Sequence, residues 1–145
     1  FNRKRDFEAE KGLGARYVDL PTLLKESDVV SIHCPYSKET HHLIAEKEFQ
    51  QMKPNSILVN TARGPIVHET ALVKALQDKI IWGAGLDVFE FEPKVTDELK
   101  TMPNVTLAPH LGSATEGTRN AMITLAAEAI IAVLNDKRVG HLLNS

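Results

Sequence analysis

Gly83-Ala84-Gly85-Leu86-Asp87-Val88-Phe89-Glu90-Phe91-Glu92-Pro93 is the stretch that decides the fold. It opens as a strand whose small residues let neighbouring backbone pack close. It then delivers Asp87, Glu90 and Glu92 and stops at a proline. An apolar strand that ends in carboxylates and a Pro reads as the carboxyl edge of a parallel sheet, where open α/β folds bind ligands. Two more segments end the same way. Ile57-Leu58-Val59-Asn60 runs into Thr61-Ala62-Arg63-Gly64, and Val105-Thr106-Leu107-Ala108 runs into Pro109-His110-Leu111-Gly112. Arg63, Glu92 and His110 therefore stand at three strand ends: a cation, a carboxylate and an imidazole.

Outward from that stretch, strands are expected to start near 29, 57, 81 and 105, with helices or long loops between them. The spacing predicts helices over Asp6–Lys11, from Asp19 to Glu26, Ala45–Met52, Glu69–Gln77 and about Thr115–Asn135, with one helical turn at Asp97–Lys100. Arg16-Tyr17-Val18 reads as a short edge strand. The alternation argues a doubly wound α/β fold, a parallel sheet of Rossmann type with crossovers on both faces. No G-x-G-x-x-G turn occurs; Gly12-Leu13-Gly14 lacks the third glycine and follows no strand. The first strand and the glycine turn are thus expected upstream of Phe1. Residues 1–114 read as a partial nucleotide-binding domain. Residues 115–145 read as a long helix and a tail.

The 145 residues, 43% hydrophobic and 25% charged, suit one globular core. A net charge of -2 leaves no electrostatic footprint for nucleic acid. The single cysteine, Cys34, rules out an internal disulfide and is compatible with a reducing, cytoplasmic location. The most apolar run, Met122 to Leu134, contains Glu128 and falls short of the ~20 residues a bilayer needs. No membrane span is expected, and a start at Phe1 without Met reads as a piece of a longer polypeptide. His41-His42 invites a metal reading, but neighbouring side chains are expected to point apart and no third ligand follows at suitable spacing. His68-Glu69 reads as a helix start, and Cys34 as buried and inert.

The segments Asn60-Thr61-Ala62-Arg63-Gly64, Gly85 to Pro93 and Pro109-His110-Leu111-Gly112-Ser113-Ala114-Thr115 closely resemble the D-2-hydroxyacid dehydrogenase family. Within it, Pro109 to Met122 is most similar to the glyoxylate/hydroxypyruvate reductases. The likeness spans the whole chain, in order. It implies that Arg63 binds substrate, that His110 is the acid/base and that Glu92 is the carboxylate partner of that histidine. It implies that Asp87 holds the nicotinamide carboxamide, and that His33, Cys34 and Pro35 line the adenosine side. Further dinucleotide contacts are implied for Asn2, Thr40, Thr61, Ala62 and Gly112, as well as for Arg63 and His110 themselves. The likeness implies that residues 115–145 are a crossover helix and tail returning toward a substrate domain, since Leu142-Leu143-Asn144 resembles the family's return segment. The implied activity is NAD(P)H-dependent reduction of a small 2-keto acid to the D-2-hydroxy acid by the full-length protein, a homodimer. The isolated segment is expected to be inactive.

The chemistry suits these residue types. A 2-keto acid carboxylate calls for a bidentate cation, and Arg presents a rigid fork that Lys cannot. Hydride arriving at the keto carbon leaves an alkoxide that needs a proton near pH 7, a task fitted to His. A neighbouring carboxylate favours the imidazolium and orients the ring. Taken singly, each of the three is an ordinary surface residue; their joint placement carries the reading. For the cofactor, the strand after a glycine turn ends at the adenosine ribose, where an acid selects a free 2′-hydroxyl and an Arg accommodates a 2′-phosphate. The chain reads Asn2-Arg3-Lys4-Arg5 there, and Arg3 and Arg5 resemble the Arg-x-Arg of NADPH-using relatives, so NADPH is expected over NAD. Two other readings stand: a dinucleotide-sensing, corepressor-like protein that keeps the same three residues, and a formate dehydrogenase. The latter typically carries Gln where Glu92 stands.

Overall fold

The four apolar runs form β1 (Val29–Ile32), β2 (Ile57–Asn60), β3 (Gly83–Leu86) and β4 (Val105–Leu107). In the computed structural model, which describes residues 1–139, they make one parallel sheet in the order β1-β2-β3-β4. The fold class is the expected one, a parallel α/β sheet. The register aligns Val30 with Leu58 and Ala84, and Ile32 with Asn60 and Leu86. These cross-strand rows are all buried, and with Leu24, Phe49, Leu72, Leu76 and Leu99 from the helices they build the core. Each such Leu or Phe contributes about 1.5–3 kcal/mol when fully buried.

Parallel crossovers are right-handed, so a monotonic strand order carries them to one face. The helices concerned are α3 (Glu46–Phe49), α4 (Glu69–Gln77) and α5 (Asp97–Thr101). The sequence suggests crossovers on both faces; those within this unit wind on one side. On the other face Val29, Ser31 and Thr106 are exposed, and Val59 and Gly85 are half-buried. Gly83 meets the expectation of close packing, because a Cβ there would lie 2.6 Å from the Asn104 carbonyl oxygen.

Two helices precede β1. In α1 (Phe7–Leu13) the Asp6 side chain accepts from the Ala9 N–H, and Gly14 ends the helix at φ 62°. In α2 (Leu20–Glu26) Asp19 caps Thr22 and Pro21 sits in the first turn. Arg16–Val18 is not a strand: no ladder partner lies beside it among the described residues, and the Tyr17 hydroxyl instead donates to the Asn2 carbonyl. The helix expected over 45–52 is only α3, because Gln51 and Met52 donate three residues back, to Glu48 and Phe49, and tighten the chain into a turn. β3 is shorter than the expected 81–88, matching the four residues of β2 that it pairs with.

The chain divides into two compact units, Phe1–Pro109 and a second beginning at His110. The second consists of a short entry and α6 (Glu116–Leu134), capped by the Thr115 hydroxyl accepting from the Thr118 N–H. By length and composition alone, helix α6 is long and apolar enough to cross a bilayer, where the most apolar run was expected to fall short. It has 19 residues, and its most apolar 18-residue window has a mean hydropathy of 1.3. Met122, Ile123, Leu125, Ile130, Val133 and Leu134 are all exposed and spread around it. The same all-round apolarity marks a helix packed inside a large protein. The expected return segment Leu142-Leu143-Asn144 lies outside the described residues.

Candidate functional site

Asn60 ends β2 and is 1% exposed, so its amide must find partners inside the protein. It does so by closing the next turn: its side chain donates to the Arg63 carbonyl at 3.0 Å and accepts from the Ala62 N–H at 3.1 Å. Arg63 is thereby held by its backbone while its side chain stays exposed, the guanidinium donating to the Ala62 carbonyl at 2.6 Å. Thr61 is exposed and Ala62 half-buried in the same turn. Gly64 follows, pressed so closely on the next strand end that a Cβ would sit 1.8 Å from the Phe89 carbonyl oxygen.

That next strand end, after β3, holds Asp87 and Glu92. Asp87 is 8% exposed, and its N–H donates to the Asn60 carbonyl at 3.0 Å, extending the β2–β3 pairing by one bond. Glu92 is exposed, and its carboxyl accepts from the Phe89 N–H at 2.9 Å. The structure therefore brings Arg63, Asp87 and Glu92 onto two adjoining strand ends of the first unit.

Residues to which the sequence reading gave no site role join the two loops. Glu90, with a side chain 9% exposed, accepts from the Glu69 N–H at 2.8 Å and pairs with His42 Nε2 at 2.6 Å. Glu69, 3% exposed, accepts from the Glu90 N–H at 2.9 Å and from the Thr96 N–H at 3.2 Å, and from the Thr96 hydroxyl as well. The rings of His41 and His42 stack at 3.8 Å, and His42 lies 4.5 Å from the His68 ring. This corrects the expectation that the two neighbours point apart. The left-handed backbone of His42, φ 52°, turns its side chain back alongside His41. No group of three metal-ligating side chains forms among the described residues. The signal available in sequence was only the carboxylate-rich run itself, because Glu90 and His42 are 48 residues apart.

After β1, His33 Nε2 lies 2.8 Å from the Ser31 hydroxyl. Cys34 is half-buried rather than fully buried, and burial raises its thiol pKa above the ordinary value. The Thr40 hydroxyl is committed to its own loop, donating to the Pro35 carbonyl at 2.8 Å and accepting from the Ser37 N–H at 2.7 Å. At the N-terminus, the Asn2 side chain accepts from the Arg3 N–H at 2.8 Å. Arg5 is engaged as a fork: its guanidinium donates to both Glu10 oxygens, at 3.1 and 2.6 Å, and lies over the rings of Phe7 and Tyr17. The hydrogen bond from Arg5 holds Glu10 below the usual carboxylate range.

His110 and Gly112 belong to the second unit. His110 is exposed and takes a left-handed φ of 56°, uncommon for a residue with a Cβ.

Residues 1–112 match the sequence profile of one family, described as D-isomer specific 2-hydroxyacid dehydrogenase, NAD binding domain. The chain belongs to this family. It is 52% identical to a glyoxylate reductase of Thermococcus litoralis over 144 residues, 99% of this chain but 44% of that protein. A crystal structure of an NADPH-dependent glyoxylate/hydroxypyruvate reductase from Sinorhizobium meliloti, with NADP and malonate, superposes with a TM-score of 0.86. It is 36% identical and covers 98% of this chain, which spans 43% of it. D-lactate dehydrogenase with NAD+ from Lactobacillus jensenii matches with a TM-score of 0.85 at 34% identity, covering 99% of this chain and 47% of its own. The 2-hydroxyacid dehydrogenase chain thus spans less than half the length of these relatives, and its residues 1–112 are the part that matches an NAD binding domain.

Proposed function

We propose that the full-length protein reduces a small 2-keto acid of the glyoxylate or hydroxypyruvate kind to the D-2-hydroxy acid, with NAD(P)H. The observation that carries this is the fixing of Arg63 and Glu92 on the adjoining ends of β2 and β3, in a 2-hydroxyacid dehydrogenase chain. Arg63 binds the keto acid carboxylate through its exposed fork. His110 delivers the proton to the developing alkoxide, and Glu92 is its carboxylate partner.

The donor set fits a nicotinamide dinucleotide. Asp87 offers a buried carboxyl at the end of β3 that can accept from the carboxamide. His33, Cys34 and Pro35 follow β1 on the adenosine side, and Thr61, Ala62 and Gly112 supply small residues that let the cofactor lie close. When bound, the dinucleotide supplies the hydride; the protein supplies position and charge. Asn2, Arg3 and Arg5 favour a 2′-phosphate and hence NADPH, although Arg5 must share its fork with Glu10. The described contacts support the loop role of Thr40 better than a cofactor contact.

The second unit is the crossover helix that leads toward a substrate domain, and the exposed apolar side chains of α6 are read as meeting protein rather than lipid. The deciding experiment follows NADPH and NADH absorbance with the full-length protein and a panel of 2-keto acids. Turnover of glyoxylate or hydroxypyruvate is expected. Dinucleotide binding without turnover of any keto acid would instead support the corepressor-like reading.

A further inference from the structure

We infer that Glu69 and Glu90 are positioning residues for the proposed reduction, a reciprocal clasp that sets the Arg63 loop against the Glu92 loop; the inference rests on the function proposed above. Each residue's carboxyl accepts the other's N–H, at 2.8 and 2.9 Å. The remaining oxygens reach outward, Glu90 to His42 and Glu69 to Thr96. Four segments are thereby tied at one buried point: the loop after β1, the start of α4, the loop after β3 and the entry to α5.

The clasp adjoins both candidate side chains through short backbone. Gly64, next to Arg63, lies against Phe89 and Glu90, and Glu92 accepts from the Phe89 N–H. A shift at 89–90 therefore moves both the substrate cation and the partner of the acid. A misplacement of the order of 1 Å can cost about 10²-fold in rate. Residues 2–5 and 33–35, which hold the adenosine side in the proposed reading, take no part in these bonds, so the dinucleotide keeps that hold when the loops of Thr61, Ala62 and Asp87 shift.

The two carboxyls differ in a way that makes the inference testable. Both oxygens of Glu69 face donors: the Thr96 N–H and hydroxyl at one, the Glu90 N–H at the other. A Gln there must set its NH2 against an N–H. Glu90 has a backbone donor at one oxygen only, and its other partner, a His ring nitrogen, is able to accept. A Gln at 90 keeps both contacts.

In the full-length protein, Glu69→Gln is expected to lower kcat/KM for the keto acid by about 10²-fold while the KM for the dinucleotide stays within about threefold. Glu90→Ala behaves similarly, and Glu90→Gln restores kcat/KM to within about threefold of the wild type. Should Glu69→Gln not fold, Thr96→Val removes one donor alone. It is then expected to lower keto acid kcat/KM by several-fold at an unchanged dinucleotide KM. Equal effects of Glu69→Gln and Glu90→Gln in an active enzyme overturn the clasp, as does a dinucleotide KM that rises in step with the keto acid KM. A wild type that reduces no keto acid is a different failure: it overturns the proposed function and the positioning role with it.

Discussion

Gly64 lies against the carbonyl of Phe89 so closely that a Cβ at residue 64 would stand 1.8 Å from the oxygen and 1.9 Å from the carbon. Backbone, unlike a flexible side chain, has nowhere to yield. The contact joins the loop after β2 to the loop after β3, and so couples the segment that carries Arg63 to the one that carries Glu92.

Gly64→Ala is therefore expected to cost about 3 kcal/mol or more, the upper range for overpacking. It should also lower keto acid turnover, because the Arg63 and Glu92 loops part to admit the methyl group. Urea denaturation with a parallel rate assay on the full-length protein measures both. A stable, fully active Gly64→Ala variant would show that the two loops are not in obligatory contact.

In the proposed reaction, where Arg63 captures the carboxylate and His110 donates the proton, the two residues should separate kinetically. Arg63→Ala removes carboxylate capture and is expected to raise the keto acid KM most; Arg63→Lys should recover little, lacking the bidentate fork. His110→Ala removes the proton donor and should lower kcat by roughly 10²–10⁴-fold. Steady-state kinetics across keto acid concentration read the division directly. A His110→Ala enzyme within a few-fold of wild-type kcat would end the acid assignment.

Cofactor choice tests the N-terminal arginines. The wild type is expected to prefer NADPH, and Arg3→Ala with Arg5→Ala to abolish the preference. Glu10 holds the Arg5 fork through two hydrogen bonds and adds a negative charge beside it. Glu10→Gln should therefore raise the NADPH-to-NADH ratio of kcat/KM by several-fold. An unchanged ratio in both variants would mean that neither arginine meets the 2′-phosphate.

Cys34 should be slow to alkylate. Burial raises its pKa, so the thiolate that reacts is scarce at neutral pH. The rate with iodoacetamide is expected to lie well below that of a free thiol at pH 7.5 and to climb only above the ordinary cysteine range. A rate equal to that of glutathione at pH 7.5 would contradict the half-buried environment.

By itself, the sequence determined what local pattern can determine. Four apolar runs became four strands, the periodic segments near 6–11, 19–26, 69–77 and 115–135 became helices, and the acid-rich exit from β3 became a strand end at the carboxyl edge of the sheet. These features follow from a residue and its near neighbours: side-chain period, turn chemistry, a missing N–H at proline. Arg16–Val18 failed the same test, since a strand exists only beside a partner that no local pattern supplies. The tertiary structure alone decided the one-sided winding, the pressing of Gly64 on Phe89 and the joining of His42, Glu69 and Glu90. The winding follows from the strand order, and the other two depend on the β2–β3 register, in which Asn60 meets Leu86 and brings together loops more than twenty residues apart. His42 and Glu69 look ordinary in sequence because their partners are chosen by that register, and only the folded sheet sets it.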